Sequence, residues 1–133
     1  MRKIAESFSG GIFAITLFVG DLSESEHFYG DLLGLPKAFG DEVSSIYLAG
    51  STAINLLQKS AALDLVTPDA LSEANAGVQA VYTLRVKDVD QVVEELIAAG
   101  VVPLNGPMDR PWGVRTASIV DPDGHVWEFA DHA

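Results

Sequence analysis

The chain contains no cysteine. Disulfides, thiolate metal sites and cysteine nucleophiles are therefore excluded, and the redox compartment cannot be inferred from cysteine usage. Histidine is also scarce, with three residues in 133. Any metal site would have to be built from these histidines and from carboxylates.

Basic residues are few as well. Eight Lys and Arg stand against 19 Asp and Glu, which leaves a formal charge of −11. This charge repels nucleic acids and anionic membrane surfaces, so cationic or neutral ligands are favoured. No apolar run approaches the roughly 20 residues that span a bilayer. We expect a cytoplasmic protein with neither nucleic acid nor membrane as a partner.

The residues that are present indicate one ordinary folded domain. A hydrophobic fraction of 48% in 133 residues is enough to build a core. Residues 13–22 and 80–89 share Thr, Leu, Val and Asp at matched positions, which indicates an internal repeat. Each copy is typical of a strand that runs into a helix. Gly34 lies shortly before Pro36 and Gly100 shortly before Pro103, which predicts matching helix ends.

Capping residues predict where the two helices begin. Asp21 or Ser23 is the candidate N-cap of the first helix, and Asp88 is that of the second. Glu26 and Gln91 lie three residues after Ser23 and Asp88, as a capping box requires.

Three extended segments follow each helix, so the chain is predicted to be two βαβββ modules, about residues 12–58 and 78–131, within a single domain. Residues 59–77 are predicted to be a linker that contains a short helix at 69–75. Asp121-Pro122-Asp123-Gly124 predicts a tight turn between the last two strands. The predicted strands are residues 37–41, 46–49, 53–58, 101–104, 114–120 and 125–130.

Several motifs of the chain resemble those of a known family. The motifs are Val19-x-Asp21-Leu22, Phe28-Tyr29, Leu33-Gly34-Leu35 and Asp-Pro-Asp-Gly-His-Val-Trp-Glu at 121–128. Together they resemble the vicinal oxygen chelate superfamily, which includes glyoxalase I, extradiol dioxygenases, and fosfomycin- and bleomycin-resistance proteins. The resemblance implies an α+β fold whose two modules form a curved eight-stranded cup. The helices would lie outside, the ligand inside, and a homodimer is expected to complete the cup.

Enzymes of this family hold a divalent metal ion at four equivalent strand positions. The resemblance places these positions at Ala14, Asn55, Val81 and Glu128. Alanine and valine have no lone pair to donate, and a catalytic metal needs about three protein ligands. His125 cannot easily replace them, because strand alternation points it away from Glu128. We therefore expect neither a metal nor another cofactor.

Strand alternation predicts which side chains would line the cup. They are mostly apolar with a few polar anchors, which is the composition of a small-molecule pocket, although a filled barrel core would have the same pattern. A buried Glu128 would either orient a ligand or pair structurally with Arg85. The predicted lining residues are Ala14, Thr16, Phe18, Asn55, Leu57, Val81, Thr83, Arg85, Val126, Glu128 and Ala130.

Two tryptophans have different predicted roles. Trp112 lies at a strand entrance, where it would stack on a ligand or be a plain hairpin-edge aromatic. Phe39 is a weaker candidate for the same role. Trp127, of opposite parity to Glu128, is predicted to pack in the core.

The resulting hypothesis is a metal-free, homodimeric protein of the bleomycin-resistance type that binds and sequesters an antibiotic or metabolite. The ligand is expected to be aromatic and cationic, and no residue is expected to be catalytic. The alternative is a glyoxalase-like or dioxygenase-like lyase or isomerase. In that case Glu128 would be a general base, or a ligand in a non-standard Zn, Ni, Mn or Fe site. A vestigial pocket on an interaction module is the third possibility.

Overall fold

Two four-stranded sheets, one from each half of the chain, form the fold in the computed structural model, which describes residues 3–73 and 76–132. The chain divides into two compact units between Leu65 and Val66. The fold class is α+β, and the predicted βαβββ repeat is confirmed.

The first unit contains a short 3-10 turn at Ile4–Ser7 and four strands with their helix. The elements are β1 (Ala14–Val19), α1 (Leu22–Glu26) with a π-helical continuation (His27–Leu32), β2 (Lys37–Gly40), β3 (Ser44–Ala49) and β4 (Thr52–Gln58). Helix α2 (Lys59–Val66) follows β4 directly. The second unit has β5 (Val81–Arg85), α3 (Val89–Ala98), β6 (Asn105–Asp109), β7 (Val114–Val120) and β8 (Val126–His132).

Both sheets have the same topology, with strand orders β1-β4-β3-β2 and β5-β8-β7-β6. The first strand of each unit pairs in parallel with the last, and the remaining neighbours are antiparallel. A parallel pair needs a long crossover, and the helix after the first strand starts that crossover in both units.

Aspartates cap the two main helices. The Asp21 side chain accepts a hydrogen bond from the Glu24 amide at 3.1 Å. Asp88 accepts one from the Gln91 amide at 3.2 Å. The alternative cap at Ser23 is wrong, because α1 begins at Leu22 and Ser23 is already helical.

Glu26 therefore does not complete a capping box. With Asp21 as the cap, Glu26 is the last residue of α1. Its carboxylate accepts hydrogen bonds from Lys37 Nζ and Ser45 Oγ, both at 2.8 Å. Glu26 thus ties the helix to strands β2 and β3.

The helices cover one face of each sheet. In the first unit, the covered face carries Leu17, Val19, Tyr47, Ile54 and Leu56, all buried. In the second unit it carries Ala117, Ile119, Trp127 and Phe129, with Val89, Val93 and Leu96 of α3 against it. Trp127 is 2% exposed, so its predicted place in the core is confirmed. The opposite face is called here the helix-free face of each sheet.

The predicted helix at 69–75 is wrong over its described part, residues 69–73, which are not helical. Residues 74 and 75 lie outside the described residues. The helix lies earlier, at Lys59–Val66, where Ala and Leu favour it and Ala62 is buried. Pro68 follows that helix and cannot continue it.

The strand predicted at 101–104 begins later, at Asn105. The Val101 amide donates a hydrogen bond to the Leu96 carbonyl at the end of α3, so it is not available to a strand. Pairing with β7 starts where the Leu104 amide donates to the Ser118 carbonyl. Strand β6 contains Pro107, which it tolerates because β6 is an edge strand.

The predicted turn between β7 and β8 is confirmed. Asp121 is 4% exposed. Its Oδ1 accepts hydrogen bonds from the amides of Asp123 at 2.9 Å and His125 at 2.8 Å. Gly124 closes the turn with φ of 93°, which other residues rarely adopt.

No helix within residues 3–73 and 76–132 is long and apolar enough to cross a membrane.

Candidate functional site

The helix-free face of the first sheet carries all the lining residues predicted in that half. Burial alternates along β1 and β4, with Leu17 and Leu56 on the covered face. Ala14, Thr16, Phe18, Asn55 and Leu57 therefore share the other face, where Thr16 is paired with Asn55 and Phe18 with Leu57. Phe39 also lies there, because it pairs with Ile46, and it is 52% exposed.

Asn55 is the central polar residue of this face. Its Nδ2 donates to Thr16 Oγ1 at 3.3 Å. Its Oδ1 is buried and has no hydrogen-bond partner in the part of the chain that the structure describes. A buried acceptor without a partner is costly, so a ligand donor at this position would be stabilised.

The helix-free face of the second sheet is ordered in three rows that run across the strands. Neighbouring rows are two residues apart, about 7 Å along each strand. The apolar row is Val81, Val126 and Val120; the polar row is Thr83, Glu128, Ser118 and Asn105; the cationic row is Arg85, Ala130, Thr116 and Met108. All the lining residues predicted in this half lie in these rows.

Glu128 is held by its neighbour in the polar row. Thr83 Oγ1 donates to Glu128 Oε1 at 3.0 Å. No ion pair joins Glu128 and Arg85, both of which lie in the described part of the chain. Register explains this, because Arg85 pairs with Ala130 in the next row. The hypothesis that Arg85 is the structural partner of Glu128 is wrong.

The internal repeat relates Asn55 to Glu128 and Thr16 to Thr83. In each unit the residue on the last strand takes a hydrogen bond from, or gives one to, the threonine of the first strand. The same position is thus a neutral amide in one unit and a carboxylate in the other. At the far end of the polar row, Asn105 Oδ1 is buried and lacks a hydrogen-bond partner among residues 3–73 and 76–132.

Trp112 lies in the connection between β6 and β7 and is 69% exposed. The guanidinium carbon of Arg110 lies 5.8 Å from the centre of its ring, within range of a cation–π contact. Arg110 Nε also donates to Thr116 Oγ1 at 2.8 Å. Arg110 therefore joins the cationic row, although it is not among the site residues predicted from the sequence. The Arg110-Pro111-Trp112 adjacency was the signal that could have found it.

A cavity of about 590 Å³ adjoins the apolar row. This volume is within the range of small-molecule sites. Its lining belongs entirely to the second unit: Ser72, Glu73, Ala76, Gly77, Val78, Gln79, Ala80, Tyr82, Leu104, Val120, Asp123, Gly124, His125 and Val126. Of these, only Val126 is among the predicted lining residues, because periodicity cannot place an irregular segment such as residues 76–80.

The residues at the family's metal positions do not fit a metal ion. Ala14 and Val81 supply no lone pair, which leaves one donor side chain, Asn55 or Glu128, in each unit. Within the described ranges, no three His, Asp or Glu side chains are grouped so that they could hold an ion. His125 precedes β8, whose register with β5 and β7 has no bulge to redirect it.

Comparison with known proteins agrees with this fold. Residues 11–129 match the model of the Glyoxalase/Bleomycin resistance protein/Dioxygenase superfamily. The chain belongs to this superfamily, as the sequence motifs predicted.

Individual relatives are similar over nearly their whole length. The chain is 33% identical over 119 residues to the uncharacterized protein YraH of Bacillus subtilis, covering 86% of this chain and 93% of YraH. A glyoxalase/bleomycin resistance protein/dioxygenase from Nocardioides superposes with a TM-score of 0.82 at 22% identity, over 94% of this chain and 85% of that chain. A lactoylglutathione lyase from Agrobacterium tumefaciens superposes with a TM-score of 0.75 at 20% identity, over 92% of this chain and 94% of that chain.

Proposed function

We propose that this protein binds and sequesters a small organic molecule, an antibiotic or a metabolite, without a metal, as bleomycin-resistance proteins of its superfamily do. The observation that carries the proposal is the helix-free face of the second sheet. There Val120 and Val126 of the apolar row line a cavity of about 590 Å³, and the polar row with Glu128 is the next row along the strands. Apolar walls with a few placed polar groups are the usual composition of a ligand pocket.

The polar side chains would orient the ligand. Glu128 accepts a hydrogen bond from Thr83 through Oε1. Its carboxylate can accept more bonds, because a carboxylate has about four acceptor positions. Asn105 Oδ1, at the far end of the same polar row, is a buried acceptor without a partner in the described chain. These acceptors favour a ligand that carries hydrogen-bond donors, and a protonated amine is one example.

Mass spectrometry of the native protein after purification without a tag is the first test. We expect a small molecule that stays bound under gentle conditions and is released unchanged on denaturation. Elemental analysis of the same sample should find no stoichiometric metal. Stoichiometric metal would contradict the proposal.

A matched pair of variants then locates the binding site. Glu128→Gln should weaken binding of the released compound by about 1–3 kcal/mol, since a hydrogen bond to a charged group is lost. Glu94→Gln removes the same charge from the exposed side of α3 and should leave binding unchanged. Equal affinity in both variants would remove Glu128 from the site.

Turnover would identify an enzyme instead. If the compound is chemically changed on incubation and Glu128→Gln stops the change, the protein is a lyase, isomerase or dioxygenase of its superfamily. The Agrobacterium neighbour is named a lactoylglutathione lyase, but at 20% identity that likeness shows the fold alone. We also propose, from the resemblance, a homodimer in the cytoplasm.

A further inference from the structure

Two arginines on the helix-free face of the second sheet have no carboxylate partner within residues 3–73 and 76–132, Arg85 and Arg110. A shortage of acidic residues does not explain this, because the chain has 19 of them and only eight basic ones. Arg115, on the covered face of the same sheet, binds both Asp90 at 2.7 Å and Asp109 at 3.1 Å. The two arginines of the cationic row are thus left with their positive charge uncompensated by protein.

Arg110 is held in a defined orientation. Its Nε donates to Thr116 Oγ1 at 2.8 Å, and its guanidinium carbon lies 5.8 Å from the Trp112 ring centre. Thr116 itself is 1% exposed and is therefore a fixed anchor. Because Nε is used, the two terminal nitrogens remain as a pair of donors, the arrangement that binds a carboxylate or phosphate through two bonds.

Arg85 extends from the same row on the other side of Ala130. Register places Arg85, Ala130 and Thr116 side by side on β5, β8 and β7. Two strand spacings, about 10 Å, separate the first and last of these backbones. Between them, β8 contributes only the methyl group of Ala130 to this row.

We infer that the cationic row binds an anionic group of the ligand, a carboxylate or a phosphate, above Ala130 between Arg85 and Arg110. Trp112, exposed beside Arg110, contacts the apolar body that carries this group. The inference rests on the proposed binding function and specifies its ligand. Because Glu128 lies one row away, the ligand carries two kinds of group. It presents a hydrogen-bond donor to Glu128 and an anionic group to the arginines. A purely cationic ligand would meet Arg110 at Trp112 and be repelled.

Matched naphthalene probes test the charge preference. 1-Naphthoate, 1-naphthyl phosphate, neutral 1-naphthamide and cationic 1-naphthylmethylamine are titrated into the full-length protein by calorimetry. We expect one or both anions to bind about tenfold or more tightly than the amide, because a charge-assisted bidentate contact is lost with the amide. The stronger of the two anions distinguishes a carboxylate from a phosphate site.

Variants locate the anion. Arg85→Gln and Arg110→Gln should each weaken the anionic probe about tenfold and leave the amide unchanged. Thr116→Val should weaken the anion as well, because it releases Arg110. Lys87→Gln removes one exposed positive charge near the same strand and should have no effect.

The outcomes separate the two proposals. If the amide and the amine bind as tightly as the anions, or if the arginine variants behave like Lys87→Gln, the anion site is overturned and the binding function stands. If none of the four probes binds and no compound is found on the purified protein, both fail. Anion preference that disappears in both arginine variants supports the inference.

Discussion

At the scale of single residues, the two halves of the repeat have diverged in charge at one position. Asn55 and Glu128 occupy equivalent places, and each contacts a threonine of the parallel neighbouring strand. Only Glu128 carries a charge. The second unit therefore has both the stronger acceptor and the arginines, and it is the unit in which we place the ligand contacts.

Asp121 is the residue on which the β7–β8 turn depends most. Replacing it with alanine leaves the amides of Asp123 and His125 without their acceptor. We expect Asp121→Ala to lower the free energy of unfolding by about 2 kcal/mol or more, since each unsatisfied group costs about 1–3 kcal/mol. Asp121→Asn keeps one acceptor oxygen and should lose less. Urea unfolding measures both.

The control for this prediction is Asp69→Ala. Asp69 is exposed, so its loss should change the free energy of unfolding by less than about 0.5 kcal/mol. Equal stability of Asp121→Ala and Asp69→Ala would show that the turn does not need its buried carboxylate.

At the scale of secondary-structure elements, the first helix is unusual because its second half widens into a π-helix over His27–Leu32. The Leu33 amide bonds to the Phe28 carbonyl at 3.0 Å, five residues back. Gly30 lies in this segment, where a Cβ would come within 2.9 Å of the Tyr47 ring. Close packing of the helix on β3 thus requires glycine at this place.

Glu26 joins α1 to two strands, and its contacts predict a pH dependence. Hydrogen bonds from Lys37, and then from Ser45, hold the pKa of the Glu26 carboxyl below its ordinary value. Its stabilising contribution is therefore complete above the unfolded pKa of about 4.3 and is lost as the pH falls through the lower, folded pKa.

We expect Glu26→Gln to lower the free energy of unfolding at neutral pH by about 1 kcal/mol or less, because the pair with Lys37 is partly exposed. The difference from the parent protein should shrink in acid. Urea unfolding across the acid range measures it, with Glu94→Gln as the charge-matched control. A difference that stays constant from neutral pH to about pH 2.5 would contradict this cause.

At the scale of the whole molecule, a single chain exposes several large apolar side chains in the segment before β1. They are Ile4 at 81%, Phe8 at 69%, Ile12 at 71% and Phe13 at 85% exposed. Burying exposed apolar side chains of this kind against a second chain is favourable, and such patches mark interaction sites. It agrees with the homodimer that we propose.

The dimer has a direct test. Light scattering after gel filtration should give twice the chain mass of 14.1 kDa. Phe13→Ser should shift the protein toward the monomer, because it removes the most exposed aromatic of the segment. Ile97→Ser, at an exposed site of α3, should not. A single-chain mass for the parent protein at every concentration would contradict the prediction.

Much of the fold could be predicted from the sequence because its signals are local. Asp88 caps α3, Asp121 and Gly124 form the last turn, and the period of two in β4 and β8 separates covered from helix-free side chains. The misplaced elements, α2 and β6, lie where no periodic pattern exists. Their positions depend on which backbone groups are already used by neighbours, as at Val101.

The sequence by itself determined the repeat, the family, the faces of the strands and the lack of donor side chains at Ala14 and Val81, since these follow from residue types at fixed spacing. Only the tertiary structure decided which side chains meet. Glu128 accepts a hydrogen bond from Thr83 and does not pair with Arg85, and Arg110 contacts both Thr116 and Trp112. The physical reason is register: a strand's pattern shows which face a residue is on, but pairing with other strands decides its neighbours.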